Sequence, residues 1–289
     1  MAGSPHLSAP RFAEPTHALN CVSPISVPEW QQITWLWHAF STRPGGVSRA
    51  YAAEDAPPEL NLGFTADDPR ENVLHNRRLL AEGVTGDPAT PTVTVRQVHS
   101  DVIVVAGAGD LAQPTGDLAQ PICEGDGLVT NQPGILLGIQ TADCVPVLVA
   151  DRQRKIVAAI HAGWRGTVKR IVENAIARMC EEFGSAPPDM VAAIGPAIGP
   201  CCYAVGEEVR AEFQSRFAYA GDLFEQVGPT LRLDLFEANR RQLLSAGLAP
   251  ESIRLAGGCT ACQPNLFFSH RASQGRAGRM LSVIGIRPA

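Results

Sequence analysis

The sequence predicts an α+β fold, a single domain in which layered mixed β-sheets are flanked by helices. Short apolar runs of strand length dominate the middle of the chain, at residues 127–130, 135–140, 145–150 and 156–161. Segments with helical spacing follow or separate these runs, and no connecting stretch requires a boundary between two domains. The chain has 289 residues, 45% of them hydrophobic, which is enough apolar material for one large core.

Further strands are predicted where apolar and polar residues alternate or where β-branched residues cluster. They cover residues 30–42, 92–98, 102–105, 190–194, 252–256 and 280–286. The first of them enters a turn at residues 44–46, where a proline and two glycines break the strand pattern. Residues 107–120 are rich in Gly, Ala, Gln and Pro, so we expect an exposed excursion there.

Helices are predicted where apolar residues recur at three- and four-residue intervals. They cover residues 69–82, 167–183, 207–217 and 235–246. Glycines bound two of them, because Gly83 follows the first, while Gly166 precedes and Gly184 follows the second. The N-terminal residues contain no continuous apolar run, so we expect a flexible extension over residues 1–28 and a folded domain over residues 29–289.

The composition excludes several classes of protein. A net charge of −5 without blocks of like charge offers no basic surface for nucleic acid. The longest apolar run, residues 134–150, is interrupted by polar residues and a proline, so it is not predicted to span a membrane. We therefore expect a cytoplasmic protein, a monomer or weak homodimer, with neither nucleic acid nor a membrane as a partner.

Three residues in separate segments form the most informative pattern. His99, Cys144 and His161 each lie at the end of a strand-like run or in the turn next to it. If the strands are neighbours, these positions converge and provide two imidazoles and one thiol. This donor set suits a catalytic zinc ion, which takes three protein ligands and keeps a fourth position for water or substrate. Taken singly, each side chain would also serve in core packing or in a backbone hydrogen bond.

The same residues support two chemistries. With a metal, Asp143 would orient a ligating histidine from a turn beside Cys144. Without a metal, Cys144 and His161 form a candidate nucleophile and base. Both hypotheses make this cluster the catalytic centre, with His99, Cys144, His161 and Asp143 as its residues.

The remaining cysteines do not predict a metal site. Cys259 and Cys262 have the CxxC spacing, but no second CxxC or HxxxH pair lies nearby, so we interpret them as small packed side chains. Cys201 and Cys202 are adjacent, and in a regular strand they would point to opposite faces and could not share an ion.

Arginines and one asparagine are candidate substrate ligands. Arg43 lies in a turn, and Arg165 directly precedes a predicted helix whose first N–H groups are free to bind an anion. A guanidinium beside such amides suits phosphate, although pairing with a carboxylate is the alternative for Arg165. Asn61 would bind either a sugar or its own backbone turn.

Six short motifs occur in an order that resembles a known family. They are FSTR at 40–43, LNLG at 60–63, QVHS at 97–100, TADC at 141–144, IHAGWRG at 160–166 and GPAIGPCCY at 195–203. In this respect the chain resembles the YfiH or laccase-domain family, also called the multicopper polyphenol oxidase or purine nucleoside phosphorylase family. The resemblance runs from about residue 40 to residue 286. One departure is Ala204, which stands where members of the family often carry a glutamate.

The resemblance implies a single α+β domain with a metal bound by His99, Cys144 and His161. That metal is zinc, with copper in some descriptions. It further implies phosphorolysis of adenosine, inosine and methylthioadenosine, with nucleoside and phosphate as substrates and adenosine deamination as a further activity. Phenol oxidation fits poorly, because a multicopper oxidase needs many histidines in HxH pairs and this chain has seven histidines without such pairs.

Two other functions remain open at this point. One is a cysteine hydrolase or amidase that acts on peptidoglycan precursors, with Cys144 as nucleophile and His161 as base. The other is a non-catalytic zinc protein or interaction module. Metal content and release of a free purine base in phosphate buffer distinguish these functions from a phosphorylase.

Overall fold

In the computed structural model, which describes residues 22–107 and 121–289, two β-sheets lie face to face and helices cover their outer sides. The strands are β1 (Leu36–Phe40), β2 (Pro44–Ser48), β3 (Thr92–Thr94), β4 (Ile103–Val105), β5 (Gly127–Thr130), β6 (Leu136–Thr141), β7 (Val145–Asp151), β8 (Ile156–Ala162), β9 (Met190–Ile194), β10 (Ala204–Val205), β11 (Phe224–Val227), β12 (Thr230–Leu233), β13 (Ile253–Leu255) and β14 (Met280–Ile286). The helices are α1 (Arg70–Thr85), α2 (Trp164–Val168), α3 (Ile171–Phe183), α4 (Glu207–Arg216) and α5 (Leu235–Ser245). The α+β fold predicted from the sequence is confirmed.

Both large sheets are mixed. The four-stranded sheet has the order β1-β14-β6-β3, and its pairs are antiparallel except β3 with β6. The six-stranded sheet has the order β13-β9-β7-β8-β5-β4, with parallel pairs only at its two edges. A small sheet, β10-β12-β11, lies beside them. The chain crosses between the large sheets at the short connection from β6 to β7.

Strand β8 shows how the core is divided. All seven of its residues are buried, as expected for a strand covered on both faces. Val157 and Ala159 face the four-stranded sheet, whereas Ala158 and Ile160 pack under α3 and α5. His161 has the same parity as Val157 and Ala159, so its side chain lies on the side that faces the four-stranded sheet.

Several boundaries differ from the sequence prediction. The helix predicted over residues 167–183 is two helices, α2 and α3, separated at Arg170, whose φ of 65° interrupts the helical path. Helix α1 continues through Gly83 and ends at Thr85, where Gly86 at φ 86° caps it. The sequence predicts a turn at residues 44–46, but these residues begin β2. Proline is tolerated there because it is the first residue of the strand.

The cysteine prediction was wrong in its geometry. Cys201 and Cys202 lie in a turn rather than in a strand, and both sulfurs contact the sulfur of Cys262. They meet Cys259 and Cys262, and the four sulfurs lie within 4.8 Å of one another.

The predicted N-terminal extension falls largely outside the described residues, as does most of the predicted excursion over 107–120. Within residues 22–28, the backbone of Ile25 exchanges two hydrogen bonds with Phe40, at 2.8 and 2.9 Å, and the amide of Val27 donates to His38 Nε2. In the part of the chain that the structure describes, no helix is both long and apolar enough to cross a membrane.

Candidate metal and substrate site

The three predicted ligands lie together. One donor atom from each of His99, Cys144 and His161 lies within 4.8 Å of the other two. The two imidazole rings are 5.0 Å apart and nearly perpendicular, with an angle of 77° between them. His161 is buried, Cys144 is half-buried and His99 is exposed, so the cluster is open to solvent on one side.

Strand register brings these residues to one point. Pro146 pairs with His161 and Val145 with Ala162, so Cys144 lies beside Gly163. A side chain at Gly163 does not fit easily, because its Cβ would lie 3.1 Å from the Cys144 sulfur and 3.2 Å from the His99 ring. The glycine therefore allows the thiol and the imidazole to approach each other.

Asp143 holds the turn that carries Cys144. Its φ of 90° is in the left-handed region, which costs free energy for a residue other than glycine. Its carboxylate compensates by accepting hydrogen bonds from the Thr260 hydroxyl and the Arg271 amide, both at 2.6 Å. The sequence-based role for Asp143 was to orient a histidine, but both carboxylate oxygens are bonded to these other groups.

Asp126 orients the histidine instead. Its side chain is fully buried, and Oδ1 accepts a hydrogen bond from His161 Nδ1 at 2.8 Å. The same carboxylate accepts backbone N–H bonds from Val98, His99 and Ser100, at 3.2, 3.0 and 2.6 Å, and a bond from the Ser100 hydroxyl. It therefore fixes one histidine by its ring and the other by its backbone. Because Nδ1 of His161 is bonded to Asp126, Nε2 is its available donor atom.

The electrostatics of the cluster favour a charged pair in the metal-free protein. Burial raises the pKa of the Cys144 thiol, but the charge and hydrogen bond of His161 outweigh burial and lower the pKa to about 6. Burial lowers the pKa of His161, but the Cys144 charge and the Asp126 hydrogen bond raise it to about 9. Burial likewise raises the pKa of Asp126, and the bonds from His161 and Ser100 hold it well below its usual range.

A cavity of about 600 Å³ opens above the cluster. Its volume is in the range of small-molecule sites, about 300–1,000 Å³. The cluster forms one wall, and the other walls are mainly basic or amide side chains with one aromatic ring. These other residues include Phe64, Arg70, Arg96, Gln97, Gln140, His270 and Arg279. No carboxylate is among the described residues that line the cavity, so it suits an anionic ligand.

A smaller cavity of about 160 Å³ is also lined by Cys144. Tyr203, His270 and Arg271 line it, and His270 also lines the large cavity. Burial and the nearby Cys144 charge raise the pKa of Tyr203 to about 12, so its hydroxyl remains a donor at neutral pH. Cys144 therefore contributes to the walls of both cavities.

The predicted substrate residues do not all join the site. Arg43 lines a separate cavity, and its guanidinium donates to Glu59 and to the carbonyls of Pro264 and Tyr51. Asn61 is fully buried, and its amide bonds Gly63, Asp68 and the backbone of Arg279. Neither lines the cavity at the cluster, and these hydrogen bonds to the protein's own groups hold both side chains in place.

Arg165 lies nearer the cluster. Its guanidinium stacks on the neighbouring Trp164 ring at 4.4 Å, and its charge lowers the pKa of Tyr203 in part. Arg165 lies inside α2, which begins at Trp164 and has only five residues, so the expected helix N-terminus for an anion is weak. A role for Arg165 in binding phosphate stays a prediction.

Sequence reasoning missed Asp126, Arg70 and Arg279. Asp126 stands between two glycines directly before a strand, a position that signals a constrained acid but gives no partner. Arg70 and Arg279 are ordinary surface arginines in sequence, and they reach the cavity only because α1 and the start of β14 flank it.

Comparison with known proteins identifies the family. The model of the family described as multi-copper polyphenol oxidoreductase laccase matches residues 37–287. The chain belongs to this family. The family resemblance predicted from the short motifs is thereby confirmed.

Members of this laccase-like family resemble the chain over most of its length. A protein of Geobacillus stearothermophilus named purine nucleoside phosphorylase YlmD is 37% identical over 252 residues, which cover 86% of this chain and 92% of that protein. A Deinococcus radiodurans protein named purine nucleoside phosphorylase is 41% identical, covering 86% of this chain and 88% of its own length. A crystal structure of YfiH from Bacillus licheniformis has a TM-score of 0.83 at 34% identity, covering 93% of this chain and 98% of that one.

The arrangement of the histidines gives little support to the copper named in the family's description. Over residues 22–107 and 121–289, only one cluster that could hold a metal contains histidine, namely His99, Cys144 and His161. His38 is instead half-buried against Trp30 and accepts a backbone hydrogen bond, and its partial burial lowers its pKa to about 4.

Proposed function

We propose that this protein is a zinc-dependent purine nucleoside phosphorylase that acts on adenosine, inosine and methylthioadenosine, with adenosine deamination as a further activity. The observation that carries the proposal is the cluster of two imidazoles and a thiol in the wall of a cavity rich in arginine. The names of the relatives from Geobacillus and Deinococcus support the reaction class.

Zinc fits the donor set. Zinc is a borderline-soft ion that binds imidazole nitrogen and thiolate sulfur, and a catalytic zinc has three such ligands. His99, Cys144 and His161 would hold it, and the hydrogen bond from His161 to Asp126 is the usual support of a ligating histidine. Bound there, the ion would supply a Lewis acid beside the substrate.

The reaction joins a phosphate oxygen to C1′ of the ribose while the bond from C1′ to the base nitrogen breaks. The base leaves with the bonding electron pair and takes up a proton, so the products are ribose 1-phosphate and a free purine. We assign phosphate to Arg70 and Arg279, because guanidinium groups bind phosphate oxygens by charge-assisted hydrogen bonds. Gln97 and Gln140 shape the cavity wall, since the side-chain amide of Gln97 exchanges two bonds of 2.8 Å with the Gln140 backbone.

Product analysis with and without phosphate tests the proposal. Inosine and phosphate should yield hypoxanthine and ribose 1-phosphate in equal amounts, and omission of phosphate should stop release of the base. Adenosine in phosphate-free buffer should yield inosine and ammonia. Release of a purine base at the same rate without phosphate would contradict phosphorolysis.

Arg70 is the most direct test of the phosphate assignment. Replacing it with glutamine should raise the KM for phosphate by about tenfold or more, because loss of one charge-assisted hydrogen bond costs about 1.5–3 kcal/mol. Zinc content should stay at the wild-type value. Initial rates at varied phosphate give the KM.

Arg154→Gln is the matched control for this change, because Arg154 lines a different cavity next to Phe183. An unchanged KM for phosphate in Arg70→Gln would place phosphate elsewhere. A similar rise in both variants would point to a general effect of charge.

Gly163→Ala tests the close approach of the ligands. The added Cβ would press on the Cys144 sulfur and the His99 ring, so we expect a several-fold weaker zinc affinity with little change in melting temperature. Competition with a chromophoric chelator gives the affinity. Gly221→Ala is the control, because open space surrounds that position. Wild-type affinity in Gly163→Ala would show that the ligands have room to move.

A cysteine hydrolase is the second candidate, because one observation favours it. Cys144, His161 and Asp126 form a thiolate, imidazolium and carboxylate series like that of a nucleophilic triad. Turnover of peptidoglycan precursors by chelator-treated enzyme, abolished by alkylation of Cys144, would favour this function. Phosphate dependence and loss of activity on chelation would exclude it. Polyphenol oxidation is the least favoured function, because residues 22–107 and 121–289 hold no second histidine-containing cluster that could bind a metal.

A further inference from the structure

Four cysteines outside the catalytic cavity converge at the surface. Cys201, Cys202, Cys259 and Cys262 come from two loops, and their sulfurs all lie within 4.8 Å of one another. The sulfur of Cys262 is 3.4 Å from that of Cys201 and 3.3 Å from that of Cys202. Cys202 and Cys259 are half-buried, whereas Cys201 and Cys262 are exposed. This set contains no residue of the cluster at Cys144.

The spacing of the sulfurs matches a single tetrahedral ion. Zinc binds thiolate at about 2.3 Å, so two ligands of one tetrahedral zinc are about 3.8 Å apart. A disulfide requires about 2.05 Å between sulfurs. All four sulfurs lie within 4.8 Å of one another, so one ion can reach all of them, whereas the sulfur–sulfur separations of 3.3 and 3.4 Å are too long for disulfides.

Backbone amides stabilise a thiolate at Cys259. Its sulfur accepts hydrogen bonds from the backbone of Gly199 and of Cys262, which is three residues further on. Metal ligation needs the thiolate form of cysteine, and such amide bonds support it before an ion binds.

The two loops are held in register by the neighbouring backbone. Ala197 and Cys259 form a parallel bridge, in which the Thr260 amide donates to the Ala197 carbonyl at 2.9 Å. A tight turn brings the amides of Cys202 and Tyr203 to the Gly199 carbonyl, at 3.0 and 2.9 Å. The cysteines are therefore presented by ordered backbone on both sides.

We propose that Cys201, Cys202, Cys259 and Cys262 form a second zinc site, with four sulfur ligands and a structural role. A site closed by four protein ligands has no position for substrate, so its contribution is to stability. The same two loops carry groups that support the catalytic cluster. Thr260 donates to the Asp143 carboxylate, and Tyr203, next to Cys202, lines the cavity beside Cys144. The ion would join the two loops on this side of the site.

Metal content of the full chain, purified under reducing conditions, tests the proposal. Wild-type protein should contain two zinc ions, Cys259→Ser/Cys262→Ser one, and Cys144→Ala one. The first variant should melt at a lower temperature than wild type, whereas Cys180→Ala should keep both ions. Replacement of zinc by cobalt gives a second readout, because ligation by four thiolates produces intense thiolate-to-cobalt charge-transfer absorption. In Cys259→Ser/Cys262→Ser this absorption should fall to the weaker contribution of the single Cys144 thiolate.

Distinct results would overturn the proposal. One zinc per wild-type chain that is lost in Cys144→Ala but kept in Cys259→Ser/Cys262→Ser would leave the four cysteines without an ion. The sequence has eight cysteines. Titration of only four thiols in the denatured, metal-free protein would show that the four clustered cysteines form two disulfides instead. If the double variant fails to fold, the proposal is tested with Cys201→Ser, which changes an exposed ligand, and with the cobalt spectrum of wild-type protein. Failure here leaves the cluster at Cys144 and its activity assay unaffected.

Discussion

Replacing Cys144 with alanine is expected to remove the ion bound by His99, Cys144 and His161 and to lower kcat/KM for inosine on the order of 10³-fold. The thiolate is the sulfur donor of this set, and without it two imidazoles remain, which is one ligand fewer than a catalytic zinc requires. The chain should still fold, because Cys144 is half-buried in a turn that Asp143 holds independently. Elemental analysis, release of hypoxanthine and the melting temperature are measured on one preparation.

Cys180→Ala is the control for the loss of a thiol. Cys180 is also half-buried, but it lies on α3 and packs against the core beneath the six-stranded sheet. It should keep both zinc content and activity. A Cys144→Ala protein with the wild-type zinc content and with activity within tenfold of wild type would refute the role assigned to this residue.

Replacing Asp126 with asparagine is expected to weaken zinc binding by about 10- to 100-fold, the usual effect of losing the carboxylate behind a ligating histidine. One carboxylate fixes the His161 ring and accepts the backbone amides of residues 98–100. An asparagine has a single acceptor oxygen, so it cannot satisfy both sets of donors. Both histidine ligands should lose their fixed orientation, and kcat should fall with zinc affinity.

The effect of Asp126→Asn on the stability of the fold should depend on pH. The pKa of Asp126 is held below its usual range in the folded protein, so its carboxylate stabilises the fold above the unfolded pKa of about 4. That contribution is lost as the pH falls through the folded-state pKa. The melting temperatures of metal-free wild type and Asp126→Asn should therefore differ most near neutral pH and converge in acid.

Asp151→Asn is the matched control. Asp151 is also fully buried, and it accepts backbone amides from Gln153 and Arg154 at the end of β7. The Asp151→Asn protein should be less stable but should keep its zinc affinity, because Asp151 does not contact either histidine. Equal loss of zinc affinity in the two variants would mean that Asp126 acts through general stability. Chelator competition and calorimetry separate these outcomes.

The central strands of the fold could be predicted because they are buried on both faces. Such strands form continuous apolar runs, which can be recognised in the sequence without knowing the neighbouring strand. This applies to β7 and β8 and to the bounds of β9 and β14. That Cys144 and His161 lie close together could be predicted for a related reason, since they lie at or next to the paired ends of β7 and β8. The break between α2 and α3 could not, because Arg170 in a left-handed conformation has no signature in the local sequence.

Long-range contacts explain the other differences. Asp126 contacts His161 across 35 residues, and Asp143 contacts Arg271 across 128 residues, so neither partner is visible from local spacing. Arg43 resembles a phosphate ligand in sequence, but Glu59 and two carbonyls occupy its guanidinium in the fold. The four-cysteine cluster was hidden because Cys201 and Cys202 lie in a turn and meet a loop about 60 residues away.

Phosphorus-31 NMR of a mixture of inosine and phosphate tests the central claim most directly. With zinc-loaded wild-type enzyme, the signal of ribose 1-phosphate should grow in step with hypoxanthine release. The Cys144→Ala/His161→Ala protein, folded but without zinc at this site, should produce no such signal. Full conversion of inosine to ribose 1-phosphate by that double variant would contradict the account.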